Sequence, residues 1–384
     1  MAEWTASQQD AIRARNGTVL VSAAAGSGKT SVLVERVIQR ITDEENPASA
    51  DRLLVVTFTK AAAAEMRGRI EKAIAQKIRE NPEDSRLRRQ QVLLAQANIS
   101  TVDSFCAKIS REFFENLNIS PNFKIVADKQ QEDLQAEAMN TAIGELFENG
   151  AFALADAFSS ERDDRRLMDA VKTLYDFTRS HLYPDSWLDE KLGEYDSSIG
   201  VWDTVWGRSL KAYGADVLDF CGNIVGECLK AVREDEKLFE ALSPVFSEDA
   251  AVIGRLSDLI KKGSWDDFSQ AVASAAFLRF PTPKGYKDDP LKLRLQSSRE
   301  TVTNAVKKDL AVLFSDSEDQ VKKDIETMRP AAKALSELVK RFSRLYDEAK
   351  AEKNLADYSD IEHYAVKLFL ENRDGEIRPT ALAE

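Results

Sequence analysis

Ala23-Ala24-Ala25-Gly26-Ser27-Gly28-Lys29-Thr30 sets two glycines, a lysine and a hydroxyl at the spacing that cradles phosphate groups, with Ala23 where the pattern usually has glycine. The spacing has a physical cause. Gly26 and Gly28 let the backbone turn so that successive N–H groups converge on an anion, and a helix opening near Lys29 adds its positive dipole end. Lys29 then reaches the β- and γ-phosphates of ATP, and the Thr30 hydroxyl ligates Mg2+. Such a loop says only that a nucleoside triphosphate binds, because kinases, transporters and small GTPases share it.

Two further stretches carry chemistry of another kind. Thr57-Phe58-Thr59-Lys60 puts hydroxyls, an aromatic ring and a cation just before the Ala-rich run Ala61-Ala62-Ala63-Ala64-Glu65-Met66. Hydroxyls and free N–H groups at a helix start suit a phosphate backbone, and Phe58 offers a stacking face to a base. In Ser100-Thr101-Val102-Asp103-Ser104-Phe105, Thr101 and Ser104 can hydrogen-bond a phosphate, whereas Asp103 would repel one and more naturally caps the helix that follows.

The elements that must hold these residues alternate. Gly17–Ser22 and Leu53–Phe58 are short branched apolar runs that read as strands, and Asn98–Thr101 reads as a third. Helical spacing follows from Lys29, from Lys60 to about Ile78, over Ser85–Ala97, and from Ser104 to about Leu117. Strand and helix in alternation imply a parallel sheet with crossovers. From about Lys129 to Lys350 the patterning is mostly helical, with breaks expected near Tyr183–Gly193 and Phe280–Pro290. The expected organisation is thus an α/β domain over 1–125, a mainly α-helical insertion over 126–349, and a return into the first domain over 350–384.

Of 384 residues, 43% are apolar and the formal charge is -12. The charge is uneven: residues 1–125 hold 18 Lys or Arg against 15 Asp or Glu, leaving 35 against 50 for the rest. An indiscriminate nucleic-acid binder is usually basic throughout its binding domain, so any phosphate-binding surface is local and belongs to the front of the chain. No run approaches the roughly 18 apolar residues of a membrane span, and Met1-Ala2-Glu3-Trp4 lacks the start of a signal peptide, which together predict a cytoplasmic protein without membrane contact. Three cysteines, an odd number, suit reduced core thiols.

The stretch Thr57–Ile70 resembles motif Ia of the UvrD, Rep and PcrA class of superfamily 1 helicases, with Lys60 where that class often has Asn. Ser100–Cys106 resembles motif Ib, with Asp103 in the place of His. The opening Trp4-Thr5-Ala6-Ser7-Gln8 resembles the glutamine motif of these helicases, which implies that Gln8 reads the adenine edge; an amide both donates and accepts, as that edge requires. Leu355–Glu362 resembles the segment by which such helicases return from an inserted domain. Several details, among them the triple alanine and Ser104-Phe105-Cys106, are similar to the AddA type of helicase–nuclease.

That resemblance implies a RecA-like P-loop NTPase fold, ATP and Mg2+ as cofactors, single-stranded and duplex DNA as partners, and an AddB-type subunit in a heterodimer. It further implies 3′-to-5′ translocation coupled to a nuclease in the resection of double-strand breaks. Thr57, Phe58, Thr59, Lys60, Thr101 and Ser104 would contact DNA. A helicase motor also needs an apolar strand ending in Asp-Glu. Asp43-Glu44, Asp189-Glu190, Asp235-Glu236 and Asp347-Glu348 all lie in polar or helical settings, so the chain is expected to stop before that strand, to bind ATP and to hydrolyse little.

A different class of function stays open. The chain could be a DNA-binding or assembly module whose helical insertion grips duplex DNA or a partner, since Arg279–Lys308 holds eight cations against Asp288, Asp289 and Glu300. A small-molecule kinase would fit the phosphate loop but not the Thr57–Ala64 helix start.

Overall fold

The computed structural model describes residues 4–15, 17–148, 164–373 and 375–383. Residues 1–3, where a leader would begin, lie outside that set. In chain order the elements are α1 (Ala6–Arg13), α2 (Lys29–Ile41), β1 (Leu54–Thr57), α3 (Lys60–Glu80), α4 (Ser85–Leu94), β2 (Asn98–Thr101), α5 (Val102–Glu112), α6 (Phe114–Leu117) and β3 (Lys124–Ile125). Then come α7 (Asp128–Glu148), α8 (Arg165–Thr178), α9 (Pro184–Gly193), α10 (Val205–Ala231), α11 (Glu236–Lys262), α12 (Trp265–Ala273) and α13 (Pro290–Asn304). The chain closes with α14 (Glu318–Glu352), β4 (Leu355–Ala356), α15 (Tyr358–Phe369) and the hairpin β5 (Leu370–Arg373) and β6 (Glu376–Pro379).

The chain divides into two compact units, residues 1–137 with 346–384, and residues 138–345. In the first, β1 and β2 pair in parallel with Leu54 opposite Asn98 and Thr57 opposite Thr101. Val34, Val37, Ile38 and Ile41 recur at helical spacing on α2 and bury against Val55, Met66, Ile70 and Ile74. The Arg67 guanidinium donates to the carbonyls of Leu94 and Ala97 at 3.2 and 3.0 Å, satisfying acceptors left over at the end of α4. A second core joins α5 to α15 through Cys106, Ile109, Phe123, Ile361 and Leu368. Beside it, β3 and β4 pair in parallel, Lys124 opposite Leu355.

Two expectations change. Gly17–Ser22 forms no strand: no described segment offers it a ladder, and Leu20 is 93% exposed. An apolar run becomes a strand only beside a partner that takes its N–H and C=O groups. Tyr183–Gly193, read as a break, is mostly helix α9, because Pro184 stands at its first turn, where the missing N–H costs nothing and φ is already helical.

In the second unit, α10, α11, α12 and α13 enclose a core that includes Leu218, Phe246, Leu256 and Phe268. Trp202, Trp265 and Phe314 pack with tilted rings 4.9 to 6.0 Å apart. Two of the eight cations in the 279–308 stretch are internal. Lys292 is buried, with its Nζ 2.8 Å from Gln296, and Arg299 is buried against Asp249 at 2.6 and 3.0 Å. Those two cations hold the unit together, so they are withdrawn from any duplex-gripping surface. All three cysteines are buried and unbridged, and burial pushes their thiols up, Cys221 to about 11. No helix among the described residues is long and apolar enough to cross a membrane.

Candidate nucleotide and nucleic-acid sites

The phosphate loop is a turn poised on the start of α2. Gly26 and Gly28 have φ of +77° and +83°, the left-handed region that a side chain would strain. A Cβ at Gly26 would meet nothing within 4 Å, so the constraint there is the backbone angle itself. Gly28 precedes α2 without a side-chain cap, and the first turn of the helix holds no acidic residue. The N–H groups of that turn therefore lack a side-chain acceptor, and the helix dipole adds positive potential at the same point. Lys29 extends its ammonium along the loop, 2.6 and 2.7 Å from the carbonyls of Ala23 and Ala24. Thr30 is exposed on the first turn. A phosphate with its metal fits this donor set, in which Lys29 and the turn N–H groups take the oxygens and the Thr30 hydroxyl is the group available to Mg2+.

Gln8 is fixed to this loop. Its amide donates to the Ser27 carbonyl at 3.1 Å, while its oxygen accepts from Thr5 N–H at 2.9 Å as half of the capping box that starts α1. The Gln8 side chain thus links the first helix to the turn that holds phosphate, and its amide retains one further N–H.

The second site grows from the register of β1 and β2. Pairing Thr57 with Thr101 brings the carboxyl ends of two parallel strands side by side, the place where open α/β sheets bind ligands. Each strand runs directly into a helix. Thr59 caps α3 by accepting from Ala62 N–H at 3.1 Å, and the Thr57 hydroxyl donates to the Thr59 carbonyl at 3.0 Å. Thr101 caps α5, accepting from Ser104 N–H at 3.1 Å and donating to the Ser104 hydroxyl at 2.8 Å. Asp103, expected to cap this helix, instead sits in its first turn, because the Thr101 oxygen already fills that role.

These two helix starts open onto one groove of about 350 Å³. Phe58, Lys60, Thr101 and Ser104 line it together, and Phe58 is fully exposed at its edge. Thr57 and Thr59 serve the turn behind it. Asp103 also lines the groove and would disfavour a phosphate at its own end.

Arg111 and Tyr358 line the same groove and were not singled out in the sequence. Arg111 follows Ser104 and Ala107 at helical spacing, a signal that periodicity alone contained. Its guanidinium lies 4.4 Å from the centre of the Phe123 ring and donates to the Phe123 carbonyl at 3.3 Å. Tyr358 begins α15, where Asp357 and Asp360 form a capping box. Behind them Lys350 is 2% exposed, its Nζ 2.6 Å from Asp360 and 3.0 Å from Asp357. Helix α3, which carries Lys60, also reaches α2: Arg69 donates to the Ser31 hydroxyl at 3.3 Å.

A family model described as the UvrD/REP helicase N-terminal domain matches residues 4–378. The chain is also similar to the ATP-dependent helicase/nuclease of AddA type from Ruminiclostridium cellulolyticum, 35% identical over 396 residues, covering 100% of this chain and 31% of that protein. The proteins of the same name from Acetivibrio thermocellus and Geobacillus thermodenitrificans are each 35% identical, over 99% and 100% of this chain and 31% of theirs. This chain therefore spans about 31% of the length of these curated relatives. The motifs, the helix starts they occupy and the match over 4–378 agree: the chain belongs to the UvrD/REP helicase family, in its N-terminal domain.

Proposed function

We propose that this chain is the ATP-binding and single-strand-binding front part of a 3′-to-5′ DNA translocase and helicase. The observation that carries this reading is the Thr57–Thr101 pairing, which places both DNA-facing segments at the carboxyl ends of one parallel pair and on one groove. Lys60 and Arg111 supply cations for phosphates, and Phe58 supplies a ring for a base. Residues 1–125 and 350–384 form the first part of a RecA-like domain, and 126–349 its helical insertion. Exposure of Leu20, Leu54 and Val56 supports a sheet completed by further strands. In the intact protein the motor is coupled to a nuclease and an AddB-type subunit in break resection, as the name shared by the relatives suggests. The chain by itself binds Mg2+ and ATP through Lys29 and Thr30 and turns over little. Nucleotide state reaches DNA through α2 and α3, joined at Ser31 and Arg69; this link rests on layout.

Fluorescence anisotropy with a labelled oligothymidylate tests the DNA part. Phe58→Ala should weaken binding by about 1–3 kcal/mol, the cost of one stacked base. Lys60→Ala should flatten the dependence of log affinity on log salt by about 0.7, one phosphate contact on a single strand. If both variants bind like the unmodified chain, the groove is not the DNA site.

A further inference from the structure

Tyr358 is the largest side chain on the groove that the proposed function leaves without a role. It is 56% exposed although aromatic, and it stands at the first position of α15. Its backbone is held firmly. Asp357 accepts from Asp360 N–H at 2.8 Å, Asp360 accepts from Asp357 N–H at 2.9 Å, and the buried Lys350 ammonium bonds both carboxylates. A large ring displayed to solvent from so rigid a base costs hydration without adding to the core. Phe58 lines the same groove, fully exposed, and Arg111 and Lys60 bring positive charge to it.

Two exposed rings with two cations on one groove match what a single strand presents, flat bases alternating with phosphates. We propose that Tyr358 is a second base-stacking residue of the single-strand groove, contributed by the returning segment and acting beside Phe58. This rests on the reading of the groove as a DNA site. Its consequence is that the strand is gripped from both ends of the first unit's sequence, by the start of α3 and by the start of α15.

The test compares a labelled oligothymidylate with an abasic oligonucleotide of equal length, binding to the 384-residue chain. Tyr358→Ala should bind oligothymidylate about ten- to a hundredfold more weakly, Tyr358→Phe should bind it normally, and abasic affinity should not change. Circular dichroism melts of both variants, expected to match the unmodified chain, exclude a folding defect. If Tyr358→Ala binds normally while Phe58→Ala and Lys60→Ala are weakened, Tyr358 does not stack and the groove reading survives. If Tyr358→Phe is as weak as Tyr358→Ala, a hydroxyl contact replaces stacking and the proposal fails. If none of the four variants is weakened, the groove reading fails and this proposal with it.

Discussion

Lys350→Met is expected to destabilise the chain by about 3–5 kcal/mol, because it strips buried carboxylates of their cation. The lysine Nζ lies 2.6 Å from Asp360, 3.0 Å from Asp357 and 3.1 Å from Asp347, with the centre of the Tyr346 ring at 4.0 Å. Burial pulls the ammonium's pKa down, but Asp360, Asp347 and Asp357 outweigh it, and the net shift is upward. The stability this adds is complete below about pH 10 and is lost as pH rises through the raised value. Asp360 is also shifted up, by burial first, against the opposing pull of Lys350. Its contribution is therefore greatest below the unfolded value of about 3.9 and diminishes as pH rises through the folded one. Acid should for that reason shrink the Lys350→Met deficit, since a protonated Asp360 no longer needs its cation. Urea denaturation at neutral and at mildly acidic pH measures both effects. A loss under about 1 kcal/mol at neutral pH would put Lys350 in the class of surface pairs.

Asp249→Leu should cost a similar amount, about 3–5 kcal/mol, in the second unit. Asp249 is fully buried and holds Arg299 through two oxygens, and Arg299 also donates to the Leu278 carbonyl at 2.7 Å. Removing the carboxylate leaves a guanidinium away from water with one carbonyl for company. The double variant Asp249→Leu with Arg299→Met should recover most of the loss, because two apolar side chains of similar volume need no partner. A double-mutant cycle by urea denaturation reads the coupling. Simple addition of the two single losses would show that the pair is not the source of the cost.

The local elements were legible where one segment decides its own shape. The Gly26–Lys29 turn, the Ala-rich α3 and the Asn98–Thr101 strand all follow from residue type and period. What long-range pairing decides was not legible. The run Gly17–Ser22 has a strand's composition but no described neighbour, and pattern cannot supply a ladder. Nothing in the order of residues shows that Thr57 lies beside Thr101, which sets the groove. Lys350 is seven and ten residues from Asp357 and Asp360, too far apart to read as a cluster. They meet because Asn354, at φ +52°, turns the chain back after α14 and β4 pairs with β3. Asn tolerates that left-handed angle better than most side chains. Tyr358 was visible only as the neighbour of a helix cap, and its place on the groove depends on the same turn.

Titration of a fluorescent ATP analogue with Mg2+ into the 384-residue chain, beside Lys29→Ala, tests the central claim most directly. The account predicts saturable binding that the substitution weakens at least tenfold, because one charged contact to a phosphate is worth about 1.5–3 kcal/mol. Equal binding by both proteins, or none by the unmodified chain, would contradict it and remove the phosphate loop from the function of this domain.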